Sequence, residues 1–149
     1  MMETVLNMSM QFAAALVATI GFSIIFNVPR KELLFCGLNG AVGWVIYKLI
    51  CMSSETPSAA LAVFAAMLVI TTLSRIFSYR RKMPFTIYQI SATIPLVPGY
   101  GIYNTMLSML NNENSIAVAA GIETLKVAGV IAIATITVLT VPKQFFAGK

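Results

Sequence analysis

The chain has 149 residues, 58% of them hydrophobic and only 10% charged, with a mean hydropathy of +0.86. A soluble domain carries roughly 25% charged residues, so this composition cannot cover a water-facing surface and points to a membrane protein. Ten Lys and Arg against five Glu give +5, which would suit nucleic acid in a polar chain, but the hydropathy overrules that reading and no nucleic-acid partner is expected.

The first apolar segment runs over 5–28. Its leading stretch, MMETVLNMSMQF, has Glu3 where a signal peptide would carry a basic residue, so a retained span is expected. The second segment, 33–52, carries Trp44 and Tyr47 toward its far end, where interfacial aromatics are common, and Lys48, which can snorkel. Gly37, Gly40 and Gly43, with Cys36 and Ala41 beside them, form a small-residue surface suited to close helix approach and a candidate contact for a partner. Asn39 within it could make a polar contact across helices or to a substrate. On one continuous helix Cys36 and Cys51 would lie roughly 22 Å apart at ~1.5 Å per residue, too far for a disulfide or a shared metal, so both read as small apolar filler.

A third segment covers 57–74, a fourth 84–110 and a fifth 115–141, each near the ~20 residues that a bilayer core demands. Pro29, Pro57, Pro84 and Pro142 mark the boundaries. With the N-terminus outside, one side of the membrane collects Arg30, Lys31, Arg75, Arg80, Arg81, Lys82, Lys143 and Lys149, and the other only Lys48. The positive-inside rule therefore predicts five spans, N-out and C-in. Residues 1–149 read as a single integral membrane domain, all α-helical.

The fourth segment holds the least ordinary stretch, SATIPLVPGYGIYNTM over 91–106. Pro95 and Pro98 remove two backbone donors and should push Ile94 and Val97 toward extended geometry, while Gly99 and Gly101 permit conformations closed to other residues. The fourth helix is thus predicted to break at 95–101 into halves near 85–94 and 100–110. Freed backbone groups at membrane depth need a protein or water-lined partner, and the second half-helix would turn its positive end toward a carboxylate. A proline kink satisfied by a neighbouring helix is the plainer alternative.

In the fifth segment Glu123 and Lys126 share a helix face at i, i+3. Ionisable groups inside a span cost roughly 2.5 to 3.5 kcal/mol each and usually face a bundle interior. Glu123 is read as a proton-exchanging or ammonium-binding carboxylate and Lys126 as its partner or an anion ligand, against an ion pair that only neutralises itself or a helix seated higher in the outer leaflet. The string VPGYG approaches a potassium-filter sequence, but Pro98 replaces a valine and the surrounding grammar is missing. With no His and no Asp, the usual hydrolase and metal machinery is absent from the composition, and neither enzymatic activity nor a cofactor is expected.

The strings LNGAVGWVIYKL and IPLVPGYGIYNTML, separated by a basic loop and Pro84, resemble the threonine/serine exporter family of the ThrE type, over nearly the whole chain. Pro95, Pro98, Gly99 and Tyr103 carry the specific part of the resemblance. Gly43 and Trp44 support it. The resemblance implies the small subunit that corresponds to the C-terminal membrane half of fused exporters, acting in a bacterial inner membrane with a separately encoded larger subunit. It implies export of threonine and serine or, in some bacteria, succinate. The expected substrate site is Pro95, Pro98, Gly99, Tyr100, Gly101, Tyr103 and Asn104, with Asn39; the coupling role expected of Glu123 and Lys126 rests on their place within the span and not on the resemblance. Homo-oligomerisation would also complete a site that five spans rarely enclose. A non-transporting membrane scaffold or assembly subunit, and an ion channel, are the alternatives from other classes.

Overall fold

Long runs without interior charge fold as helices because a helix satisfies its own backbone where water is absent. The computed structural model describes residues 2–53 and 58–142, with side chains from Asn7 onward. Six α-helices follow one another: α1 (Met2–Ile25), α2 (Leu33–Ser53), α3 (Ala59–Arg81), α4 (Phe85–Thr93), α5 (Gly99–Leu110) and α6 (Asn114–Leu139), with one 3-10 turn, Ile94–Leu96, between α4 and α5. There is no strand among the described residues. Four helices, α1, α2, α3 and α6, are long and apolar enough to cross a membrane. Pro57, Lys143 and Lys149 lie outside the described residues, as does the side chain of Glu3.

Three helix ends share one stop signal. Asn27, Lys82 and Asn112 take positive φ (55°, 54° and 61°). In each case the next residue's N–H reaches back to a carbonyl in the last turn: Val28 to Ser23, Met83 to Ser78 and Glu113 to Ser108. This left-handed cap satisfies carbonyls that the helix leaves open. The third apolar segment was expected to end at Ser74, yet α3 continues through Arg81, because its last turns bury Arg75 and pack Phe77 against Phe35 and Tyr88.

None of the described glycines has positive φ, and those of α2 serve close packing rather than turns. A Cβ on Gly40 would run into Thr19 of α1, one on Gly37 would meet Ile20 Cγ1 at 2.7 Å, and one on Gly43 would run into Ile70 of α3. The small-residue surface of α2, a candidate contact for a partner, is therefore spent on α1 and α3 of the same chain. Gly99 and Gly101, read as permitting conformations closed to other residues, do not use that freedom. Both open α5 in ordinary helical geometry.

The interruption itself comes from the prolines. Val97, before Pro98, is extended (φ −62°, ψ 131°), as the proline ring requires. Ile94, before Pro95, was expected to be extended too. It is instead right-handed helical (φ −50°, ψ −45°), because Pro95 sits in the first turn of the 3-10 segment, where its missing donor costs nothing.

The core lies where α4 and its 3-10 turn meet α2, α3 and α6. Val63, Ala66, Met67, Ile70, Ala92, Leu96 and Ala134 form its buried centre. Pairings between α3 and α6 rise together along the chain. Ala60, Leu61 and Phe64 share a groove with Val130 and Ile133, the Gln89 amide reaches both Thr71 and Thr135, and Arg75 reaches the carbonyls of Val138 and Val141. The two helices are therefore parallel. Beyond the core α5 packs against α6, with Gly101 on Thr124 and Gly121 on Thr105, and makes no comparable contact with α1, α2 or α3.

Candidate functional site

A cleft of about 420 Å³ opens where α1, α2 and the turn between α4 and α5 converge, lined by Gln11, Ala14, Ala15, Ala18, Trp44, Lys48 and Pro95. Ala14, Ala15 and Ala18 keep one face of α1 thin, and that thinness leaves the space. Trp44 Nε1–H donates to Gln11 Oε1 at 3.3 Å, and Gln11 Nε2 donates to Asn7 Oδ1 at 3.2 Å, so the indole is held in one orientation. Lys48, one turn further along α2, places its Nζ 5.5 Å from the centre of the Trp44 ring. That is a cation–π distance. No carboxylate or hydrogen-bond acceptor among the described residues engages the ammonium.

Of the residues expected at a substrate site, Pro95 lines this cleft. Tyr100 and Tyr103 are 79% and 62% exposed on the open side of α5, and no side chain caps that helix at Pro98. A Cβ at Gly99 would meet nothing within 4 Å, whereas Gly101 lies against Thr124. Asn104 is half-buried. Asn39 is fully buried and bound to α3, its Nδ2 donating to Ser74 Oγ at 2.8 Å and to the Ile70 carbonyl at 3.3 Å. It makes the cross-helix contact and has no open face toward the cleft.

Glu123 and Lys126 pair at 2.6 Å, their side chains 70% and 58% exposed on the outer surface of α6. Within this chain they do not face an interior, because the Gly101–Thr124 contact takes the inward side of that turn. The structure does bring the start of α5 and the segment around Thr124 together.

Several polar groups escaped the sequence reading. Glu32 accepts from Arg81 Nε and Nη2 at 2.7 and 2.9 Å and from Tyr88 Oη–H at 2.7 Å, while only 5% exposed. The Arg81 hydrogen bonds hold its carboxyl below the usual carboxylate range against the opposing effect of burial; Tyr88 and the charges of Arg81 and Lys31 add to the lowering. Gln89 donates to Thr71 Oγ1 at 3.1 Å and Thr135 Oγ1 at 3.3 Å, joining α4 to α3 and α6. Asn39 Oδ1 and Gln89 Oε1 are buried without a partner among the described residues. The sequence does not single out Glu32, since its partners lie 49 and 56 residues away.

Four helices long and apolar enough to cross a membrane, packed around a proline turn, describe a polytopic membrane protein. The chain belongs to the threonine/serine exporter family, ThrE, whose family model matches residues 11–141. It is also similar to an uncharacterized protein of Haemophilus influenzae, 35% identical over 101 residues. That match takes in 68% of this chain and 33% of the relative, so the chain spans about a third of that relative's length. No solved structure matches the chain.

Proposed function

We propose that the chain is the small membrane subunit of a proton-coupled exporter of small carboxylated solutes, threonine and serine or a dicarboxylate such as succinate, in a bacterial inner membrane. The observation that carries this reading is the cleft beside the α4–α5 turn, with Pro95 and Lys48 on its wall, in a chain of the threonine/serine exporter family. Five crossings, N-out and C-in, with α4, the turn and α5 forming one interrupted crossing, fit the parallel course of α3 and α6. Two parallel neighbours need a return pass between them.

A larger subunit of the same family completes the path. The open faces of α5 and α6, with Tyr100, Tyr103 and the Glu123–Lys126 pair, are where it would seat. In the assembled pair Glu123 exchanges a proton or holds an ammonium, and Lys126 tunes it. The test is efflux of labelled threonine, serine and succinate from loaded cells, with and without the larger subunit. Efflux that requires both chains is expected; efflux of none of the three with both present overturns the exporter reading, and efflux by this chain alone overturns the heteromer.

A further inference from the structure

We infer that the cleft between α1, α2 and the α4–α5 turn is a carboxylate-binding subsite in which Lys48 takes the anionic group of the solute over the face of Trp44. The inference rests on the exporter reading and adds the residue that recognises the solute. Lys48 is half-buried, and its ammonium meets the indole face but no anion or acceptor among the described residues. An ammonium has three donors, and a ring face satisfies charge without accepting a directed N–H···O bond. Donor capacity therefore remains on the side that opens into the cleft.

The remaining walls suit the rest of a small solute. Ala14, Ala15 and Ala18 are apolar and short, matching a methyl or methylene. Gln11 is oriented by its bond from Trp44 and offers a second polar edge. At about 420 Å³ the space is at the small end of ligand pockets, near 300–1,000 Å³. Pro95 closes one side, so any shift of the α4–α5 turn changes the cleft directly.

Trp44 is the sole tryptophan of the chain, and its fluorescence reports this cleft with no transport needed. The full chain in phosphatidylcholine nanodiscs is titrated with threonine, succinate and threoninol, the last lacking a carboxylate. A saturable change with threonine or succinate and none with threoninol is expected. Lys48→Gln should raise the half-saturating concentration at least tenfold, and Lys48→Arg should stay within about threefold, which separates charge recognition from misfolding. In cells making both subunits, Lys48→Gln should raise the KM of efflux with a smaller effect on maximal rate. An equal response to threoninol, a flat response to all three, or an unchanged KM in Lys48→Gln overturns the assignment. So does a signal produced by phosphatidylglycerol in place of solute, which makes the cleft a lipid-headgroup site. Robust wild-type efflux with any of these results removes the subsite alone; absent wild-type efflux removes the exporter reading beneath it.

Discussion

Arg81 closes on Glu32 through two parallel bonds, Nε to Oε2 at 2.7 Å and Nη2 to Oε1 at 2.9 Å, tying the α1–α2 loop to the end of α3. Phe35 lies under the guanidinium, 4.4 Å from Cζ to ring centre, so the pair is both bonded and stacked. Tyr88 brings α4 into the same knot. Tyr88→Phe removes a buried hydrogen bond to a charged acceptor and should cost about 2 kcal/mol, read as chemical unfolding in detergent.

The same knot sets a pH dependence. Because the folded carboxyl of Glu32 titrates below its ordinary value of 4.5, its contribution is fully present above that value and is lost as pH falls through the lower, folded one. The melting temperature of the wild-type chain should therefore hold steady from neutral pH down to about 4.5 and drop below it. Glu32→Gln should melt lower at neutral pH and lose most of that acid-side slope. A wild-type slope retained in the variant would assign it to another carboxylate.

Arg75 ends α6. Its Nη1 donates to the carbonyls of Val138 at 2.5 Å and Val141 at 2.8 Å, at the end of α6 where i, i+4 partners run out. Arg75→Met keeps the stem and removes the donors. Hydrogen exchange in the last turn of α6 should speed up by roughly tenfold or more, in line with the loss of charge-assisted bonds. Unchanged exchange there would show that the cap contributes little.

Gly99 and Gly101 make a matched pair of substitutions. A Cβ at Gly101 would meet Thr124, so Gly101→Ala should destabilise by about 1–3 kcal/mol, while Gly99→Ala, with open space, should be neutral or gain ~0.5 kcal/mol from helix propensity. Thr124→Ala should largely rescue Gly101→Ala. Thermal unfolding of the four variants checks the set, and additive losses in the double variant would contradict direct contact.

Glu123→Gln tests the coupling role. With the larger subunit present, efflux should fall at least tenfold while the two chains still co-purify. Unchanged efflux from an intact complex would leave the 2.6 Å pair with Lys126 as self-neutralisation on an exposed helix face.

Helix positions were legible because apolar runs and punctuating prolines are local signals. The sequence placed Pro95 and Pro98 at an interruption, and Val97 took the geometry that its following proline requires. Ile94 did not, since a residue before proline can remain helical when the proline opens a new turn. Long-range pairings were not legible. Gln11 and Trp44 are 33 residues apart, and Gln89 and Thr135 are 46 apart. Lys48 reads in isolation as a snorkelling residue, and only packing of α1 beside α2 and Pro95 turns it into the wall of a cleft. Asn39 could be read as a cross-helix contact because an amide among glycines has few other uses; that its partners are Ser74 and Ile70 required the fold.

The parallel course of α3 and α6 gives the protein a stepped rim. Arg75 is level with Val138, and Gln89 bridges Thr71 to Thr135, so the first turn of α3 is level with about residue 123 of α6, which begins at Asn114 and so has roughly 14 Å of helix ahead of that point at ~1.5 Å per residue. A bilayer leaflet of uniform thickness cannot meet both levels at once without bending, thinning or a tilt of the longer helix. The shelf above α3, bordered by α5 and the first turns of α6, sets a shape requirement: a neighbour that fits flush against this protein must itself be taller on that side.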